Sequence, residues 1–132
     1  MSEQILRTSH YIAATADELR AAGPAAKVAA AIDQRVLFPH RGEAHLKPER
    51  LVFTGWDGDA DVTVHRSEVT AVAREFTGLY GRFLGGGSKE WGAPIVLTLT
   101  EGAQVYALFD HRAFLEKTDN PDWERELRAW LG

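Results

Sequence analysis

Three features of this chain carry residue types suited to chemistry. Asp57-Gly58-Asp59-Ala60-Asp61 with Glu68 sets carboxylates at positions one, three, five and twelve of a calcium loop. Val62 stands at the sixth position, where glycine is required, and the flanks read as strands, so the carboxylates are read as shaping a solvated turn. Gly81 to Lys89 is glycine-rich and ends Gly87-Ser88-Lys89, which superficially suggests a phosphate loop. A phosphate loop needs Lys before Ser or Thr and a helix after it, whereas Pro94-Ile95-Val96 leads into a strand. The third feature is the five histidines, His10, His40, His45, His65 and His111, which are dispersed. No two of them have helical metal-ligand spacing, and on one strand His40 and His45 would face opposite sides. Asp110-His111 beside Arg112 reads as an acid/base pair or, equally, as a strand-end turn. No serine sits in a nucleophile elbow. No catalytic residue, no metal ligand and no cofactor is therefore expected from the sequence, and an enzyme would need a constellation that the sequence does not show.

The elements that would position such groups are bounded first by composition. The 132 residues are most simply one domain, large enough to bury roughly two-thirds of the unfolded surface. Cysteine is absent, which excludes disulfides, thiolate catalysis and cysteine zinc sites. A net charge of −4 argues against broad nucleic-acid binding. Ser2-Glu3-Gln4 is not a basic leader, and nowhere do eighteen apolar residues run together. The expectation is a cytoplasmic protein with no transmembrane segment.

Residues 1–33 read as a partly helical N-terminal extension packed on a main domain at 34–132. Thr15-Ala16-Asp17-Glu18 is a capping-box pattern and Gly23-Pro24 a stop, which predicts a short helix over 16–22. From Arg35 onward the pattern becomes short strands: a run starting at Val36-Leu37-Phe38, then Glu43–Lys47, Leu51–Trp56, Val62–His65 and Val69–Phe76. Ile95–Thr100 and Val105–Phe109 form the clearest hairpin, turning at Glu101-Gly102, and Asp57-Gly58 signals another turn. The chain closes with a helix. Asn120 is placed to cap it, Pro121 fits its first turn, and Trp123, Leu127, Trp130 and Leu131 make one apolar stripe. Strand after strand without intervening helices excludes a parallel sheet. The fold class is mainly β, an antiparallel barrel or two packed sheets with a C-terminal capping helix.

Gly42-Glu43-Ala44-His45-Leu46 with Glu49-Arg50-Leu51-Val52-Phe53, then Val64-His65-Arg66-Ser67-Glu68-Val69-Thr70-Ala71-Val72, then the closing helix carry a resemblance. Over residues 35–131 the chain resembles small bacterial pleckstrin-homology-like and GRAM-type domains. The resemblance implies that Trp123 or Trp130 packs against the barrel. It also makes phosphoinositide recognition a reading to weigh, with Arg41, Lys47 and Arg50 as the nearest candidate anion or lipid contacts. They lack the tight Lys/Arg-x-Arg cluster of lipid-binding members.

The strongest functional suspect is the stretch from Thr77 to Pro94, long for a loop and holding Leu79, Tyr80, Phe83, Leu84 and Trp91. Two readings stay open: a contact loop for a partner, or an irregular strand whose aromatics close the barrel. Leu79, Tyr80, Arg82, Phe83 and Trp91 are the candidate partner-binding residues. The function expected first is a small binding module that engages a protein or a second copy of itself through residues 79–91 or a sheet edge. The alternatives are an enzyme or small-ligand protein with a pocket between sheet and extension, drawing on His45, His65 or Arg82, and peripheral membrane contact through Arg41, Lys47, Arg50 and the aromatic loop.

Overall fold

The computed structural model describes residues 4–21, 38–75, 93–110 and 118–132. In chain order these form β1 (Arg7–Thr15), α1 (Ala16–Ala21), β2 (His40–Leu46), β3 (Arg50–Asp57), β4 (Ala60–His65), a 3₁₀ turn (Arg66–Glu68), β5 (Val69–Arg74), β6 (Ile95–Leu99), β7 (Gln104–Phe109) and α2 (Asn120–Leu131). The strands make a single seven-stranded sheet in the order β4-β3-β2-β1-β7-β6-β5. Every pairing is antiparallel, and the sheet curls into a half-barrel capped by α2. The fold is mainly β, as the strand pattern predicts.

Local turn chemistry sets the hairpins. Gly58 (φ 64°) turns β3 into β4 and Gly102 (φ 85°) turns β6 into β7, both in the left-handed region that glycine enters without penalty. In the second hairpin Ile95 faces Ala107 and Leu97 faces Val105, and all four are buried. Gly42 answers a different demand. A Cβ there would lie 2.0 Å from the Thr54 carbonyl oxygen, so only glycine lets β3 fold this closely over β2.

The first strand corrects the sequence reading. Residues 7–15 are not part of an appendage but the central strand of the sheet. β1 pairs with β2 from Arg7↔Leu46 to Ala13↔His40, and with β7 from Tyr11↔Phe109 to Thr15↔Val105. Its second half, Tyr11-Ile12-Ala13-Ala14, is buried on both faces and so shows no alternation of polar and apolar residues. Tyr11 and Ala13 point to the concave core with Leu46, Leu51, Phe53 and Phe109. Ile12 and Ala14 point to a second cluster on the convex side, where Val96, Tyr106 and Leu108 meet Leu19 of α1 and Phe38.

Helix α2 seals the concave face through Trp123, Leu127 and Trp130, the predicted stripe, with Leu131 half-buried. Trp130 Nε1 donates to the Lys47 and Pro48 carbonyls at 2.7 and 3.0 Å, pinning the helix to the β2–β3 turn. Glu124 receives Arg74 of β5 at 2.9 Å and Arg128 at 3.1 Å. Burial alone would raise its carboxyl, but those two guanidinium groups outweigh it and hold Glu124 below the usual carboxylate range. The expected cap is corrected. Asp119 is the N-cap residue, and Asn120 is fully buried with its side chain turned away from the helix amides toward the sheet.

Candidate functional site

Because α2 lies at one end of the half-barrel, the other end is left as a mouth. It is framed by the ends of β1, β3 and β6, the starts of β4 and β7, and the first turn of α1. A cavity of about 590 Å³ opens there, within the few-hundred to one-thousand Å³ range typical of small-molecule sites. Phe53, Trp56, Val62, Val64, Leu99 and Val105 form its apolar wall. Thr15, Asp17, Arg20, Glu101 and Gln104 stand on its rim. Alternation along the strands explains the wall: Phe53, Val64 and Val105 are inward residues of the concave core, and Trp56, Val62 and Leu99 pack against it while half-exposed.

The wall is braced from behind. His40 is 8% exposed and stacks on Trp56 with ring centroids 3.9 Å apart and planes at 10°. Its Nδ1 lies 2.6 Å from the Trp56 carbonyl oxygen, and its Nε2 lies 2.8 Å from both Glu18 carboxylate oxygens. Each ring nitrogen thus faces an acceptor of the fold, the Trp56 carbonyl on one side and the Glu18 carboxylate on the other. The expected capping box forms as well: the Thr15 N–H donates to Glu18 Oε1 at 2.8 Å and the Glu18 N–H to Thr15 Oγ1 at 3.2 Å. One carboxylate therefore starts α1 and ties it, through His40, to β2 and β3. Tyr11 completes the brace with a 2.8 Å hydrogen bond to the Thr54 carbonyl. Burial, then the nearby charge of Asp61, pushes its phenol up to about 12.

The brace is expected to respond to acid. Burial alone would raise the Glu18 carboxyl, but the Thr15 amide and the His40 ring outweigh it and hold it below its ordinary value. A carboxyl depressed on folding contributes stability above its unfolded value, and that contribution is lost as pH falls through the lower folded value. Glu18→Gln keeps a capping side chain and removes the charge. The stability gap between native protein and this variant should be widest near neutrality and close on acidification below pH 4, read from urea midpoints across the range. A gap independent of pH would mean that the Glu18 charge carries none of it.

The sequence-predicted site residues fall out as follows. Leu79, Tyr80, Arg82, Phe83 and Trp91, with Leu84, lie outside the described residues. Arg41, Lys47 and Arg50 do not converge. Arg41 is the second residue of β2, with its guanidinium 3.5 Å from the Phe38 carbonyl, while Lys47 and Arg50 flank the far turn, joined by a 2.8 Å backbone hydrogen bond. Six residues of extended chain separate Arg41 from Lys47, about 20 Å. His45 faces outward against Thr8 Oγ1 at 2.9 Å, and His65 is exposed at the end of β4; neither lines the cavity. His111 lies outside the described residues. Asp61 accepts the Gly55 N–H and Glu68 the His65 N–H, and among the described residues no three His, Asp or Glu side chains gather as metal ligands. Sequence reasoning missed His40, Trp56 and the mouth itself. Only the Glu18 end of the brace carried a local signal, the capping box.

Among the described residues no helix is long and apolar enough to cross a membrane. No protein-family model and no curated protein matches the chain. Among solved structures it is similar to the C-terminal domain of an unknown protein from Leishmania infantum, with a TM-score of 0.56 and 11% identity over 98% of this chain and 86% of that one. At that identity the likeness shows the fold alone: a mainly β half-barrel closed by a C-terminal helix.

Proposed function

We propose that this chain is a small pleckstrin-homology-like binding module that holds an apolar small molecule in the mouth of its half-barrel. The observation that carries the reading is the cavity of about 590 Å³, with an apolar wall, a polar rim and a braced Trp56. The barrel mouth is a common place for such a site. A binding role is favoured over catalysis because the buried histidine beside the cavity has both nitrogens committed to acceptors. The pleckstrin-homology-like assignment is supported by the curled antiparallel sheet and the tryptophan-bearing helix that closes it.

The test uses N-phenyl-1-naphthylamine, a neutral probe that brightens in apolar surroundings. The native protein should bind it saturably with one site. Ala103 is exposed on the rim, so Ala103→Trp should block entry, weaken binding at least about tenfold and leave the melting temperature near the native value. No saturable binding by native protein, or native-like binding by Ala103→Trp, would remove the proposal. A second reading is strand addition by a partner protein or second copy at β4 or β5, the terminal strands of the described sheet. Light scattering that reports a monomer at high concentration would remove its self-association form. Membrane contact through Arg41, Lys47 and Arg50 has less support, since the three are not gathered on one patch.

A further inference from the structure

We infer that the cavity's ligand carries a protonated amine on its apolar body. This deepens the binding reading and rests on it. The polar groups of the rim, and the partners they already have, set which ligand head it recognises. Thr15 donates its amide to Glu18 and its hydroxyl oxygen accepts the Glu18 N–H, and Arg20, the only cation lining the cavity among the described residues, is paired with Asp17 at 2.5 Å. Gln104 donates one N–H of its amide to Thr98 Oγ1 at 3.2 Å, which leaves its Oε1 and its second N–H. Glu101, on the β6–β7 turn, has no ion-pair or hydrogen-bond partner among the described residues. Among the described rim residues the charge left unpaired is therefore the Glu101 carboxylate.

A ligand head that matches an unpaired carboxylate must donate, and charge then separates an ammonium from a neutral N–H. The rim sums to one net negative charge, Asp17 and Glu101 against Arg20. The Glu18 carboxylate behind the wall is taken up by the Thr15 amide and the His40 ring. A carboxylate or phosphate head would face the unpaired Glu101, and Asp17 already offsets the charge of Arg20. An ammonium head leaves that pair in place and adds the Coulomb attraction that Glu101 leaves unused. The preference is opposite in sign to that for an anionic lipid head group.

The experiment measures displacement of bound N-phenyl-1-naphthylamine by three naphthalenes at pH 7 and low salt, bearing an ethylammonium, an ethyl or a propionate chain. Because Glu101 is solvent-exposed, the ammonium compound should displace the probe at concentrations about two- to fivefold lower than the ethyl compound, and the propionate at higher ones. Glu101→Gln should erase the ammonium preference while leaving the ethyl compound's value unchanged, and so should raising the salt to about 0.5 M. An ammonium compound that binds no better than the ethyl compound, a propionate that binds best, or a preference that survives Glu101→Gln would overturn the inference while leaving the cavity reading in place. If the neutral probe itself does not bind, the cavity reading falls first and takes this one with it.

Discussion

Replacing Trp123 with alanine is expected to cost about 3–5 kcal/mol of stability and to lower the melting temperature by roughly 10–20 °C. Trp123 is fully buried. One face of its indole stacks on Phe109 of β7 with centroids 4.1 Å apart and planes at 10°. Its Nε1 donates to Ser9 Oγ of β1 at 2.8 Å, and the Arg7 guanidinium lies 5.7 Å from the ring centroid. One side chain thus joins α2 to two neighbouring strands at the closed end of the half-barrel. The sheet beneath it is held by ladders on both sides of β1 and has little freedom to collapse into the space an alanine would leave, which places the cost high in the range. Trp123→Phe separates the contributions: it keeps the stack and loses the N–H, for about 1 kcal/mol plus some loss of volume. Equilibrium unfolding in urea measures both. A loss under about 1 kcal/mol for the alanine variant would show that α2 does not seal the core. Because the cavity mouth lies at the opposite end, Trp123→Phe is expected to leave binding of the naphthylamine probe as in the native protein.

What the sequence made legible follows a physical boundary between local and non-local rules. The α2 stripe, the capping box at Thr15 and Glu18 and the β6–β7 hairpin depend on residues within a few positions of one another, and all three form. β1 was hidden because its buried half feeds two cores at once, and two of those residues are small alanines that carry no strand signal. The brace behind the cavity was hidden for another reason. Glu18 and His40 are 22 residues apart, and nothing in either neighbourhood announces the other. The cavity is further still from local rules, since its wall is assembled from β3, β4, β6 and β7, and each strand alone shows only ordinary alternation. Arg41, Lys47 and Arg50 illustrate the converse. They are close in sequence, but an extended strand carries them apart.

Asn120 gives the second large effect, and its chemistry makes the test specific. Its Oδ1 accepts the Phe109 N–H at 2.8 Å, and its Nδ2 donates to the Ala93 carbonyl at 2.8 Å and the Ala107 carbonyl at 3.3 Å. One amide thereby satisfies the end of β7 and the chain entering β6, where water does not reach, at the point where α2 begins. Asn120→Leu keeps the volume and orphans a buried donor and a buried acceptor, each worth roughly 1–3 kcal/mol, for a total of about 2–4 kcal/mol. Asn120→Asp is the sharper probe. The carboxylate can still accept from Phe109, but its second oxygen then faces two carbonyl oxygens, and among the described residues no cation is paired with Asn120. The new carboxyl should therefore hold its proton in the folded state well above the unfolded value. With the folded value raised, the stability deficit relative to native protein is smallest in acid, where the proton restores a donor toward Ala93, and grows as pH rises. Urea midpoints for native, Leu and Asp proteins between pH 4 and 8 should show a roughly constant deficit for Leu and a rising one for Asp. A flat deficit for Asn120→Asp would mean that this side chain is not the sealed polar bridge between helix and sheet.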